Sequence, residues 1–249
     1  MGNVIVIKLG GTSCEALEPH FFNEINKLQK AGKKIIIVHG GGQSITKWME
    51  KLEIQVEIEN GLRMTNEAAL AITKMVLIGE VQPHLLQQFA EHQVKAIGLN
   101  AAMNHLLVAR QIQEGKLGFV GEIQKVNTEI LVDSLQQGYL PIVAPLGLDE
   151  AGQWLNINAD ETASKIAEAM EAEELILMTE VLGVKEEGNV LKSLNATELV
   201  AFIESGVVSG GMIPKLKCAQ YALKKGVKQV RVTLRLDYLG TKMVQEGSL

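Results

Sequence analysis

Apolar residues follow two rhythms along the chain. Short runs rich in Ile, Val and Leu, Asn3–Leu9 and Lys34–Val38, read as buried strands, and the segment between them carries apolar residues at helical spacing up to Gly32. Strand, helix, strand with short connections is the βαβ unit of a parallel sheet. Helical spacing resumes at Ser44–Leu52. Gln55–Met64 alternates around the turn pair Asn60-Gly61, which predicts a hairpin. Asn66–His92 is helical, as one helix or as two broken near Gly79 and Pro83. Strands are predicted at Ala96–Leu99, at Phe119–Val126 in antiparallel sense, along "YLPIVAPLG", at Glu174–Met178 and at Gln229–Leu234, with "LGTKMV" as a final edge strand. Helices are predicted at Glu129–Gln137, Thr162–Met170 and Pro214–Lys225. A further one is capped by Asn195 with Glu198 three residues on, Thr197 being the alternative cap.

Composition narrows the class. The 249 residues are 47% hydrophobic but only 4% aromatic, which suits an aliphatic α/β interior. A net charge of -5 gives no basis for a nucleic-acid surface. Two cysteines, Cys14 and Cys218, cannot supply a disulfide framework or a closed zinc site. No run reaches the roughly 18 apolar residues of a spanning helix, and Met1–Leu9 is too short for a signal peptide. The expectation is a cytoplasmic protein without membrane or nucleic-acid partners.

Two glycine turns follow the first two strands: Gly10 and Gly11 after Lys8, and Gly40, Gly41 and Gly42 after His39. In an α/β sheet, ligands sit beyond the carboxyl ends of the strands. Successive glycines let the main chain approach a ligand and aim N–H groups at it, and a helix beginning near Ser44 adds partial positive charge. Both turns therefore suit anions, although glycines after strands also serve as plain loop punctuation. Neither turn is a GxGxxG fingerprint or a GxxxxGK[ST] phosphate loop.

Farther along, "NINAD" (Asn156–Asp160) precedes a helix, and "SGGMIPKLKCA" places Lys215 in a first helical turn behind Gly210 and Gly211. The helix dipole disfavours a lysine there unless an anion balances it. Alone, Lys215 reads as a surface lysine. Grouped with Lys8 and Asp160, it can stabilise a phosphoryl group in transfer. Arg63, in "NGLRMT", is either a solvated loop arginine or a carboxylate receptor whose planar fork holds two oxygens. His39 ends an apolar strand, and a structural or orienting role fits it better than proton transfer.

Taken together, "KLGG", "VHGGG", "NGLRMTN", "GFVGEI..VN", "NINADETA", "GGMIPKL" and a late "GT" occur in an order and spacing that resembles the amino-acid kinase superfamily, within it the branch acting on N-acetyl-L-glutamate. The resemblance covers nearly the whole chain. It implies a three-layer αβα sandwich with a mainly parallel central sheet. An N-terminal lobe, about residues 1–172, would carry the acidic substrate and the contact of a homodimer, and residues 173–249 would carry the nucleotide. The implied reaction passes a phosphoryl group from ATP to the substrate's side-chain carboxylate, with Mg held mainly by the ATP phosphates and no protein metal site. By matching motif, Lys8 and Lys215 would embrace the phosphoryl group and Asp160 would hold both lysines. Gly10, Gly11, Gly210 and Gly211 would face nucleotide phosphates. Gly41, Gly42, Arg63 and Asn158 would bind the acidic substrate.

Departures from the pattern occur at Asn100–His105, at Glu180–Leu182, in "GEVQPH" and in the compressed "VRVTLRLDYLGT". They leave a carrier-linked 2-aminoadipate as an alternative acceptor, and a non-catalytic nucleotide or amino-acid sensor as an alternative role. Arginine-inhibited hexamers of the family carry an extra N-terminal helix, so the resemblance implies an arginine-insensitive dimer.

Overall fold

The computed structural model describes residues 3–10, 14, 17–59, 61–186, 188–205 and 212–245. The chain opens with β1 (Val4–Leu9), α1 (Pro19–Lys30), β2 (Lys34–His39) and α2 (Gly42–Lys51), then the hairpin β3 (Ile58–Glu59) and β4 (Leu62–Arg63). A long helical stretch follows as α3 (Glu67–Val76), a π-helical turn (Leu77–Val81) and α4 (Gln82–Glu91). Next come β5 (Ala96–Leu99), β6 (Leu107–Gln111), β7 (Gly121–Val126), α5 (Glu129–Gln136), β8 (Leu140–Val143), β9 (Leu146–Leu148), β10 (Trp154–Asn156), α6 (Ala159–Ala169) and β11 (Glu174–Met178). The last elements are β12 (Lys185–Glu186), β13 (Asn189–Val190), β14 (Ser193–Asn195), α7 (Ala196–Glu204), α8 (Met212–Lys224), β15 (Gln229–Thr233) and β16 (Thr241–Val244).

Among the described residues, eight strands form the central sheet in the order β14-β16-β15-β11-β1-β2-β8-β5. It is parallel from β5 through β15 and reverses at the β15–β16 pair. Side-chain alternation sorts the strands between two cores. Val4, Val6, Ile36 and Val38 face a layer built on α5, α6, α7 and α8. Ile5, Ile7, Ile35 and Ile37 face Phe21, Phe22 and Ile25 of α1 together with α2, α3 and α4. This is the expected αβα sandwich. A small four-stranded sheet, β10-β9-β6-β7, packs onto the first layer through Ala109, Ile123 and Leu155.

Several expectations change in detail. The run "YLPIVAPLG" is two strands: β8 stays in the central sheet, and after Ala144 and Pro145 the chain enters the small sheet as β9. Asn66–His92 does not break at Gly79. A wide π turn absorbs both the glycine and Pro83, which has no N–H to return to the Gly79 carbonyl. α6 begins at Ala159, three residues early, because Asn158 caps it. α2 begins at Gly42. Asn195, not Thr197, caps α7, in a reciprocal capping box with Glu198. β16 is not an edge, since β14 pairs with its outer side.

Candidate active site

The sheet brings Lys8 and Asp160 to one place. Lys8 lies next to last on β1 and projects to the same face as Val4 and Val6, toward α6. Asp160 is the second residue of α6, where the positive end of the helix dipole favours a carboxylate. Lys215, in the first turn of α8, reaches the same carboxylate. Its Nζ donates to Oδ1 at 3.0 Å and to Oδ2 at 3.1 Å, and Lys8 Nζ lies 3.1 Å from Oδ1. The residues Lys8, Asp160 and Lys215 are only 9%, 8% and 6% exposed.

Burial alone would raise the Asp160 carboxyl, but the charges of Lys8 and Lys215 and their hydrogen bonds outweigh it and hold the pKa below the usual value. Lys215 moves below the ordinary lysine range because burial and the neighbouring Lys8 prevail over attraction to Asp160. Within the trio, two buried ammonium groups meet one carboxylate, which leaves one positive charge over. That charge calls for an anion.

A cleft of about 630 Å³ runs past these groups, and Lys8, Asp160, Gly41, Arg63, Asn156 and Asn158 are among the residues that line it. Gly41 has φ 177° and ψ 13°, and a side chain there lacks space: a Cβ would come within 2.6 Å of Leu77 Cδ2, in the π turn. No side chain caps α2, so its first amides remain available to an acceptor at the cleft. Gly42, the first residue of α2, also lines the cleft. Gly10 continues from β1, whereas Gly11, Gly210 and Gly211 lie outside the described residues.

Arg63 and Asn158 lie in this cleft, but each already uses part of its hydrogen-bonding capacity. Asn158 Oδ1 accepts from the amides of Asp160 at 2.8 Å and Glu161 at 3.2 Å. Its amide nitrogen, with two N–H groups, is what it can offer a ligand. Arg63 Nη2 donates to the Gly42 carbonyl at 3.0 Å and to Thr46 Oγ1 at 2.7 Å, and Nη1 to Met49 Sδ at 3.3 Å.

Sequence reading passed over Asn156. Its Nδ2 donates to Thr65 Oγ1 at 3.1 Å, and that hydroxyl donates to the Arg63 carbonyl at 2.7 Å, which ties the "NINAD" strand to the "GLRMT" loop. The signal was present, because residues 156 and 158 of an extended segment point to one side. His39 is fully buried. Its Nδ1 meets the Gly40 carbonyl at 2.9 Å, and burial pushes its pKa down to about 4. The ring is neutral at pH 7 and does not line the cleft.

A model of the amino acid kinase family matches residues 3–234. An acetylglutamate kinase from Listeria welshimeri is 49% identical over 243 residues, covering 98% of this chain and 97% of that protein. One from Leuconostoc citreum is 41% identical, with coverage of 97% and 98%. The crystal structure of a Streptococcus mutans protein is similar at a TM-score of 0.93 and 35% identity, covering 98% of this chain and 99% of that one. The match extends from β1 to the end of β15 and so includes every described residue of the trio and of the cleft; this chain belongs to the amino acid kinase family.

Proposed function

We propose that this protein transfers the γ-phosphoryl group of ATP to the side-chain carboxylate of N-acetyl-L-glutamate, giving ADP and N-acetyl-L-glutamyl 5-phosphate for arginine biosynthesis. One observation carries the reading: a buried Lys8–Asp160–Lys215 trio, two cations on one carboxylate, meets the cleft that also holds Arg63 through Lys8 and Asp160. The acceptor is ionised at neutral pH, since Glu titrates near 4.3, so no general base is needed. The obstacle is repulsion between two anions. Lys8 and Lys215 offset it at the phosphoryl oxygens, and Asp160 keeps both ammonium groups in place. Gly10, Gly11, Gly210 and Gly211 approach the nucleotide phosphates. The amides around Gly41 and Gly42 receive the attacking carboxylate, and Arg63 and Asn158 bind the far end of the substrate. Mg²⁺ held mainly by the ATP phosphates would supply further neutralisation of their charge, while Asp160 holds the two ammonium groups.

On this reading residues 1–172 form the substrate and dimer lobe of a cytoplasmic homodimer, and residues 173–249 form the nucleotide lobe. Among the described residues, no helix is long and apolar enough to cross a membrane. The assay is acyl hydroxamate formation with Mg·ATP and hydroxylamine, comparing N-acetylglutamate, glutamate, aspartate and 2-aminoadipate. N-acetylglutamate should be used far better than free glutamate. Equal use of the two, or a preference for aminoadipate, removes the assignment.

A further inference from the structure

Arg63 is the obvious receptor for a second carboxylate, yet its fork is not open. A guanidinium has five N–H groups, and both protons of Nη2 are spent on the Gly42 carbonyl and Thr46 Oγ1. Each edge that a carboxylate can bridge needs an Nη2 proton, so the remaining donors on Nε and Nη1 cannot act as a pair. As placed, Arg63 offers an incoming carboxylate single contacts only.

A second cation lies beside it. Lys47 follows Thr46 on α2 and lines the same cleft. With Gln43, Thr46 and Glu50 it follows the i, i+3, i+4, i+7 spacing of one helix face, the face on which Arg63 is anchored. The residue is exposed and has no ion-pair partner among the described residues, although Glu50 lines the cleft three residues on. Lys8, the other lysine of the wall, is committed to Asp160. A substrate with two carboxylates therefore meets, beside Arg63, a second cation in Lys47 that has no ion-pair partner among the described residues, and Glu50 as a repulsive neighbour that Lys47 offsets.

We infer that Lys47 determines specificity by binding the α-carboxylate of the acidic substrate alongside Arg63. The inference rests on the proposed reaction and adds a residue to it. Met in place of Lys47 preserves the apolar stem and removes the charge. Lys47→Met should raise the KM for N-acetylglutamate about tenfold, between the effects typical of an exposed ion pair and of a charged hydrogen bond, and should lower kcat/KM through KM. Lys47→Arg should restore most of it. The α-carboxamide analogue of N-acetylglutamate, which keeps the side-chain carboxylate, supplies the control. The parent should bind it poorly, and Lys47→Met should bind it no worse than the parent does. A KM for N-acetylglutamate within twofold of the parent, or an equal loss on the carboxamide, overturns the role of Lys47. Failure of the parent itself to turn over N-acetylglutamate would instead overturn the reaction on which the inference rests.

Discussion

Lys215 straddles both oxygens of Asp160, at 3.0 and 3.1 Å, while Lys8 meets Oδ1 alone, at 3.1 Å. The arrangement fixes two cations from separate segments at one point and cancels only one of their charges. Removing Lys215 would leave a neutral pair.

In the proposed mechanism Lys215 acts on charge that develops in the transition state. Lys215→Ala should lower kcat by roughly 10²–10³, the usual loss for one such donor. The KM for the carboxylate substrate should change far less, because Arg63 and Asn158 are untouched. Lys215→Arg should rescue incompletely, since a wide planar fork replaces a compact charge. Steady-state kinetics on folded variants decide it. A kcat within threefold of the parent for Lys215→Ala would remove Lys215 from the transfer step.

The same trio predicts the alkaline limb of activity. Lys215 is a base whose pKa in the folded protein lies below its ordinary 10.5, through burial first and Lys8 second. Between those two values the unfolded chain binds more protons, so this group favours folding increasingly as pH rises. In the proposed mechanism activity runs the opposite way, because transfer needs the ammonium form. The kcat/KM profile, which reports the free enzyme, should therefore fall at a pH below the usual lysine range. The limb in kcat should lie higher, since bound phosphoryl oxygens favour the charged form. Coincident limbs in the two profiles would argue against Lys215 touching the phosphoryl group.

His39 gives a prediction for stability. Burial holds its folded pKa at about 4, against 6.5 in the unfolded chain, and its Nε2 has no partner among the described residues. A depressed histidine contributes stability in its neutral form, present above pH 6.5 and lost as pH falls toward 4. Across that window the loss is roughly 3 kcal/mol. Carboxylates also titrate in acid, so the informative quantity is a difference. His39→Gln should lose less stability than the parent between pH 7 and pH 4.5 in denaturant titrations. Parallel losses would show that the ring is not buried in its neutral form.

Much of this site was legible because its chemistry sits where elements end. Lys8, Gly41 and Asp160 lie at a strand exit, a turn and a helix start, and such boundaries carry local signals in the sequence. What stayed hidden depends on contacts between segments. The strand β6 falls in "LLVARQ", where Ala109 packs inward between exposed Arg110 and Gln111 and the half-buried Val108, too short a pattern to stand out. The transfer of the chain from β8 to β9 is a change of sheet, decided by the packing of Leu146 rather than by Pro145 alone. The engaged fork of Arg63 depends on Thr46 and Gly42, from a helix distant in sequence. Residue types can nominate a receptor, but they do not show how many of its donors are already in use.

A Cβ on Gly41 would collide with Leu77, which makes space a reason for a glycine there. The φ of Gly41, 177°, lies outside the left-handed region, and the methyl of Gly41→Ala meets Leu77 Cδ2 at 2.6 Å and Val81 Cγ2 at 3.5 Å. Leu77 is 1% exposed in the π turn and cannot withdraw into solvent. Overpacking of this kind costs about 1–3 kcal/mol, and relief by shifting the turn would displace the amides proposed to receive the acceptor carboxylate. Gly41→Ala should therefore lower both the melting temperature and kcat/KM. Leu77→Ala alone should destabilise by about 2–5 kcal/mol through the cavity it leaves. Combined, the two changes should cost less than their sum, because the new methyl enters the vacated space. Strict additivity in denaturant titrations would mean that the turn yields freely, and that the glycine is kept for the approach of the substrate rather than for the fit against Leu77.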